Sequence, residues 1–385
     1  MSRKAYDVVV VGGGIEGSAT AYALVKRGLQ VLLLEQFPLP HSRGSSHGQT
    51  RMMRRVYSRP QYTAMTLASV PLWHRLERET GMQLFKKTGY LMIGNREDVE
   101  VNAASMAQNR LPHSVLDAKV LRQKLGNLIN IDDSLGAVFD PEGGLLLADK
   151  CLRAYHGEFL KLGGEIRDGE PLTDLQPGNP AVLKTPKGSY SANSVVLCLG
   201  PWAGAFLAKL GLNLPLTPQK VTVAYWRTEE KGMEALPALS IRDTVQGRHF
   251  FAFPTLEYPG MFKFYYRAGP DAEPDRRDGN VDADAAVLEL LKDAVLRTMP
   301  KLKPELAIKE SCMYTLTPDA HIVLDRHPRF SNILFGAGFS GHGFKLAPVV
   351  GEILADLVQG KTPNFDISCN SVHYHTTLEK PKSHL

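Results

Sequence analysis

Residues 6–37 read YDVVVVGGGIEGSATAYALVKRGLQVLLLEQF, and that order leaves the chain few ways to fold. Val8 to Val11 form a β-branched run suited to a parallel strand buried on both faces. A GxGxxG turn follows at Gly12, Gly14 and Gly17, then a helical stretch closed by Gly28, then a second apolar run ending in Glu35. A turn without Cβ atoms lets a pyrophosphate approach backbone N–H groups at a helix N-terminus. A carboxylate closing the second strand accepts hydrogen bonds from ribose hydroxyls, which favours NAD or FAD over NADP. The spacing does not separate NAD from FAD. It does predict a Rossmann-like βαβ unit at the N-terminus.

The remaining totals mostly exclude. At 385 residues there is room for two domains, and 43% apolar with 22% charged residues fits a soluble globular protein. A net charge of +5 without a long basic run gives no sign of a nucleic-acid or membrane partner. No apolar stretch reaches the roughly 20 residues of a membrane helix, and the N-terminus lacks a signal-peptide layout. Cys151, Cys198, Cys312 and Cys369 show no close pairing, which argues against a disulfide framework and a zinc site; no metal is expected, and the compartment is reducing or neutral. The tripeptide Ser383, His384, Leu385 is similar to the address read by a peroxisomal import receptor, so a peroxisomal location is expected.

Beyond the second strand, PLPHSRGSSHGQTRMMRRVY crowds small donors and arginines with little periodicity. Such a loop suits wrapping an extended cofactor better than starting another βα unit. Here the chain resembles the flavin-dependent amine oxidases of the sarcosine oxidase family, most of all the peroxisomal sarcosine/pipecolate oxidases of animals. GGGIEGSATAYAL, HSRGSSHGQTRMMR, ESCMYTLTPDAHIVLDRHP and GAGFSGHGFKLAPVVGEIL carry the resemblance, and VVLCLGPWAG fits a third flavin-domain strand and turn.

The resemblance implies FAD. By motif position the cofactor contacts are Gly12, Gly14, Ile15, Glu16 and Gly17, with Glu35 and Gln36 after the second strand. Arg43, Ser45, Ser46, His47, Thr50 and Arg51 follow in the wrapping loop, and Gly200 and Trp202 in the third turn. Tyr314, Gly338, Gly341, His342, Gly343, Phe344 and Lys345 complete the set. In the family a cysteine in a CMYT-like context carries the flavin through a thioether to a ring methyl, and Cys312 matches it. The other three cysteines read as packing thiols.

The family's oxidations act on secondary amino acids, whose carboxylate an arginine and a lysine would clamp. By the motif match these are Arg54 and Lys345; a lysine at a helix start is unfavourable unless an anion faces it. Arg51, one helical turn before Arg54, matches an arginine beneath the flavin. Arg55 and Arg59 read as a solvated basic face, and Met52 and Met53 as packing. YPGMFKFYYRAGP alternates like a strand and brings Lys263 to the position of a family lysine that activates oxygen, where a fixed cation favours superoxide. Four residues on, Arg267 replaces a family histidine near the substrate, and Phe251 is the nearest equivalent of a family tyrosine. Arg267 suits a second anion on a longer substrate.

The implied activity is oxidation of sarcosine, L-pipecolate or L-proline to an imine, with oxygen reduced to hydrogen peroxide, by a monomer. Other readings stay open: a dehydrogenase using another electron acceptor, an oxidase of a larger N-substituted amino acid, an NAD-dependent dehydrogenase, and a flavin-binding protein without catalysis. The expected fold is α/β plus α+β. A Rossmann-like FAD-binding domain of the glutathione-reductase type (1–82, 148–216, 319–372) is interleaved with a catalytic domain on a mostly antiparallel sheet (83–147, 217–318). GPDAEPDRRDGNVDAD is expected to be an exposed loop, and 373–385 a loose tail.

Overall fold

The computed structural model describes residues 4–242, 247–279 and 281–377. Ser383 to Leu385, and with them the expected peroxisomal address, lie outside the described residues.

Strand β1 (Lys4–Val11) leads into helix α1 (Ile15–Lys26) and returns as β2 (Val31–Leu34), parallel to β1 with Val8 opposite Val31. Alternation along β1 sends Val8 and Val10 into one core and Val9 and Val11 into another, so both faces are dry. Burying each valine fully contributes about 1.5–3 kcal/mol. Strand Gly188–Leu197 runs parallel on the other side of β1, and Phe330–Ala337 runs parallel beyond it. Glu165–Arg167 extends the sheet past β2, while Ala181–Thr185 and Asp174–Gln176 extend the other side as antiparallel strands. Helix Gly343–Val358 packs on α1 so closely that a Cβ at Gly351 would lie 2.8 Å from Ala19 backbone atoms.

A second eight-stranded sheet is ordered Leu306–Leu316, Thr217–Arg227, Met261–Tyr266, His249–Pro254, Ala238–Arg242, Tyr90–Gly94, Gly136–Asp140 and Ser114–Asp117. Every neighbouring pair is antiparallel except Ala238–Arg242 with Tyr90–Gly94. Period-2 patterning decides which face each residue takes. Phe262 and Phe264 pack with Ala224 and Trp226 beneath helix Val281–Thr298, through its Leu291, Ala294 and Val295. Lys263 and Tyr265 therefore face the other way, as do Val221, Val223 and Cys312. Strand β3 (Thr50–Met53) joins Gly144–Leu147 and Phe85–Lys87 in a small third sheet.

Four expectations change. Arg51 lies on β3 and Arg54 just past it, so they are not one helical turn apart. Arg55 is not solvated: its Nε sits 3.2 Å from both carboxylate oxygens of Asp140, and both side chains are buried. Within 269–279, Arg277 is buried and donates to the carbonyls of Ser42 (2.6 Å) and Arg43 (3.1 Å), tying that loop to the cofactor-wrapping segment. Residues 373–377 are not loose, because Val372–Thr377 is a helix with His375 fully buried.

Removing one partner of a buried pair leaves an uncompensated charge, which costs about 3–5 kcal/mol. Asp140→Ala should lose that much stability in urea unfolding, whereas Asp133→Ala, at an exposed pair with Arg122, should lose under about 1 kcal/mol.

Candidate active site

The two large sheets enclose a cavity of about 870 Å³. At one end β1 stops at Val11, and Gly12 turns with φ +106°, its missing Cβ leaving room for the Cys198 carbonyl, which a Cβ would approach to 2.2 Å. Gly17 does not line the cavity. A Cβ there would lie 1.9 Å from the Gly12 carbonyl oxygen, so this glycine lets helix and turn touch. Gly14 caps α1 with no side-chain acceptor; the Ile15 N–H donates to Ser46 Oγ at 3.0 Å. This is a helix N-terminus open to an anion.

Glu35 borders the same end. It accepts from the N–H groups of Gly13 (2.7 Å) and Phe37 (2.9 Å), with His41 Nε2 at 3.4 Å. Burial opposes its charge, but His41 and the two backbone donors outweigh that and hold the carboxyl below its ordinary range. Gln36, Ser45, Gly200 and Trp202 line the cavity beside it. Arg43 does not: it lies 5.9 Å over the Phe37 ring and donates to the Asp275 carbonyl.

At the other end, Cys312 is 8% exposed on the strand Leu306–Leu316, with Sγ 3.6 Å from Arg51 Nη2 and 3.7 Å from the Ser45 carbonyl. Cys198 also borders the cavity, but burial pushes its thiol up to about 12. Cys151 does not line it. His47 lies between the carbonyls of Gly44 and Ser311, each 2.9 Å from one ring nitrogen, and as a neutral ring it donates to one of them at a time. Burial, then Arg51, lowers it to about 4 against the pull of those carbonyls, so it is neutral at physiological pH.

Lys263 is 3% exposed and donates to Thr50 Oγ1 at 3.3 Å, with Glu257 Oε1 3.5 Å away; Thr50 in turn donates to Glu257 at 2.9 Å. Glu257 was not legible as a site residue. It belongs to the turn between His249–Pro254 and Met261–Tyr266, and only the folded hairpin brings it under Lys263. Burial and Arg51 pull the Lys263 pKa down while Glu257 restrains the fall.

Lys345 lies in the first turn of Gly343–Val358, curling back to the carbonyls of Gly341 (3.2 Å) and His342 (3.5 Å). Burial, then Arg54 and Arg267, drives its pKa well below the usual lysine range. The Arg54 guanidinium lies 3.9 Å over the Tyr57 ring, and Lys345 Nζ is 6.0 Å from the same ring. His342 stacks on Tyr62 and is driven well below its ordinary pKa by burial and Lys345. Among the described residues, no Asp or Glu oxygen comes within 4 Å of Arg51, Arg54, Arg267 or Lys345. Gly338 and Gly341 adopt positive φ and, with Phe344, shape the wall next to Tyr314. Phe251 lines the cavity, stacked on Tyr265 at 5.3 Å, and Met52, expected only to pack, borders it too.

The donor set fits a flavin dinucleotide. The α1 N-terminus and Glu35 suit its ADP half. Two polar atoms bordering the cavity, Glu16 Oε2 and Thr315 Oγ1, are buried without a protein partner, which leaves hydrogen-bonding capacity for a bound molecule. Among the described residues, no three metal-ligating side chains converge.

A fold of this kind around such a cavity defines a flavoenzyme. Residues 7–357 match the DAO model, FAD dependent oxidoreductase, and the chain belongs to that family. It is 42% identical to the peroxisomal sarcosine oxidase of Homo sapiens, over 94% of each chain. It is 34% identical to the monomeric sarcosine oxidase of Bacillus sp. strain NS-129, over 96% of each. Among solved structures, NikD, described as an unusual amino acid oxidase essential for nikkomycin biosynthesis, superposes with a TM-score of 0.84 at 26% identity; the match covers 99% of this chain and all of that one.

Glu16 supplies a pH prediction. Burial, opposed by Lys345, raises its pKa from 4.5 to about 8. The folded state thus holds a proton that the unfolded chain releases, and this stabilisation is complete below 4.5 and lost as pH rises toward about 8. Glu16→Gln should melt higher than the parent at pH 8.5 and show a flatter stability profile between those values, as followed by thermal denaturation.

Proposed function

We propose that this chain is an FAD-dependent oxidase of secondary amino acids of the sarcosine, L-pipecolate or L-proline type. The observation that carries this reading is the pairing of Arg54 with Lys345 around Tyr57, a guanidinium and a protonatable amine with no Asp or Glu oxygen within 4 Å among the described residues. An amino acid's carboxylate supplies the missing charge. The human and bacterial relatives, by their names, act on sarcosine. When bound, FAD supplies the acceptor for two electrons from the substrate's C–H bond and their onward donor to oxygen, giving an imine and hydrogen peroxide.

The chain's own residues then divide the work. Residues 12–16 and Glu35 hold the ADP half, and the sheet containing β1 forms a discontinuous FAD-binding unit interleaved with the catalytic sheet. Arg54 and Lys345 hold the carboxylate, so the amine and its neighbouring C–H bond are presented in one orientation. Burial, Arg54 and Arg267 weaken the hold of Lys345 on its proton, and an arriving anion favours its charged form. Lys263, steadied by Thr50 and Glu257, supplies a fixed cation where oxygen acquires charge. Cys312 would hold the flavin through a thioether to a ring methyl, a bond whose formation would give up one hydrogen from the thiol and one from the methyl, with oxygen as the two-electron acceptor. The Arg51 guanidinium beside Sγ gives the kind of surroundings that reactive thiols share. The protein acts as a monomer in the peroxisome, where its peroxide would be consumed; one relative's name carries the first word and another's the second.

Anaerobic addition of sarcosine, L-pipecolate or L-proline should bleach the flavin, and readmitted oxygen should return colour with one peroxide per substrate. If none of the three bleaches it, the reading fails. Losing a charge-assisted hydrogen bond costs about 1.5–3 kcal/mol, so Arg54→Met or Lys345→Met should raise KM roughly 10- to 100-fold. Lys263→Met should slow recolouring in oxygen and spare the anaerobic step. Acid precipitation should leave colour on the parent protein and release it from Cys312→Ala.

A further inference from the structure

Arg267 has no counterpart in the clamp just described. It follows the strand Met261–Tyr266, its N–H donates to the His249 carbonyl at 3.0 Å, and its half-buried side chain lines the cavity. Its guanidinium makes no hydrogen bond or ion pair with any described residue. The groups whose charge reaches it are Arg54, Tyr314, Tyr57 and Arg242, and none is a carboxylate. Arg242 is occupied by Asp98 at 3.0 Å. His249 and His342, the histidines nearby, are both driven well below their ordinary pKa and are neutral.

An unpaired guanidinium in this position cannot relieve its surroundings as a lysine can. Burial and its arginine neighbours weaken the hold of Lys345 on its proton; an arginine keeps its charge. Arg54 and Arg267 therefore stand as two permanent cations in one cavity, each disfavouring the other. A monocarboxylate such as sarcosine balances one of them. The flavin's phosphates belong at the α1 N-terminus, the other end of the cavity. A second anion is left to find, and Tyr314, which lines the cavity, flanks its place with a further donor.

Resting on the oxidase reading above, we propose that the preferred substrate is a secondary amino acid with a second carboxylate, its α-carboxylate on Arg54 and Lys345 and its distal carboxylate on Arg267. The oxidation is of the same type: a C–H bond beside the amine gives up two electrons, and the corresponding imine, still bearing the second carboxylate, leaves. Arg267 sets specificity, because a planar fork of donors suits a carboxylate and a histidine in its place would not carry a fixed charge.

The holoenzyme tests this without turnover. Oxydiacetate and methoxyacetate mimic the two substrate classes with an ether oxygen replacing the amine, and their binding is read from the shift in flavin absorbance. Oxydiacetate should bind at least about 10-fold more tightly, the worth of one further charge-assisted pair. Arg267→Met should abolish that preference while leaving methoxyacetate within about 3-fold, and Arg267→Lys should restore part of it. Arg267→His provides a second test if the Met variant does not fold, and it too should lose the preference. In turnover, kcat/KM for N-methyl-L-aspartate should exceed that for N-methyl-L-alanine and fall selectively in the variants. Equal affinity for the two ethers, or an equal loss of both in Arg267→Met, overturns the second subsite. If sarcosine or pipecolate still bleaches the flavin in that case, the oxidase reading survives; if no secondary amino acid does, that reading fails instead.

Discussion

Positive charge held out of water, with no carboxylate oxygen within 4 Å among the described residues, governs this molecule. Arg51, Arg54, Arg267 and Lys345 face one cavity, and the nearest groups that soften their burial are carbonyls and aromatic faces. The Tyr57 ring under Arg54 contributes about 0.5–2 kcal/mol in such surroundings, far less than the desolvation of a guanidinium. A cavity so arranged is poised for anions. The titratable groups respond in the direction electrostatics requires: Lys345 and His342 are pushed toward neutrality, and Glu16 keeps its proton until about pH 8 because its own burial outweighs the attraction of Lys345.

Two lysines in the same cavity are treated differently. Lys345 lies among arginines, with Glu16 opposing them only weakly, and its pKa falls far. Lys263 has Glu257 within 3.5 Å and a shared hydroxyl from Thr50, so its fall is restrained. Pairing a lysine preserves a standing cation, whereas leaving one unpaired makes its charge conditional on a ligand. The first suits a group that must be positive before oxygen arrives, and the second a group that recognises a carboxylate.

What was legible in the sequence was local. Gly12, Gly14, Gly17 and Glu35 announce their turn and strand by spacing alone, and the alternation around Lys263 gives its strand and hence its face. What was not legible depends on distant partners. Arg55 looked solvated because Asp140, which neutralises it, is 85 residues away. Arg277 lay in a run rich in Asp and Pro that reads as an exposed loop, yet two carbonyls of the wrapping segment capture it. Glu257 has no motif, since a hairpin alone delivers it. Arg267 was visible as a departure from its family, but that it is unpaired could be seen only once every neighbouring element was in place.

Proton uptake on anion binding tests the central claim most directly. Calorimetric titration of the holoenzyme with methoxyacetate near pH 8, in buffers of different ionisation enthalpy, counts the protons taken up. If Lys345 stands neutral in the empty cavity and charges against the ligand, close to one proton per ligand should be absorbed, falling toward zero in Lys345→Met. Binding with no proton uptake in the parent protein would mean that the lysine is already charged, and the account of a buried lysine whose charge waits for its ligand would be contradicted.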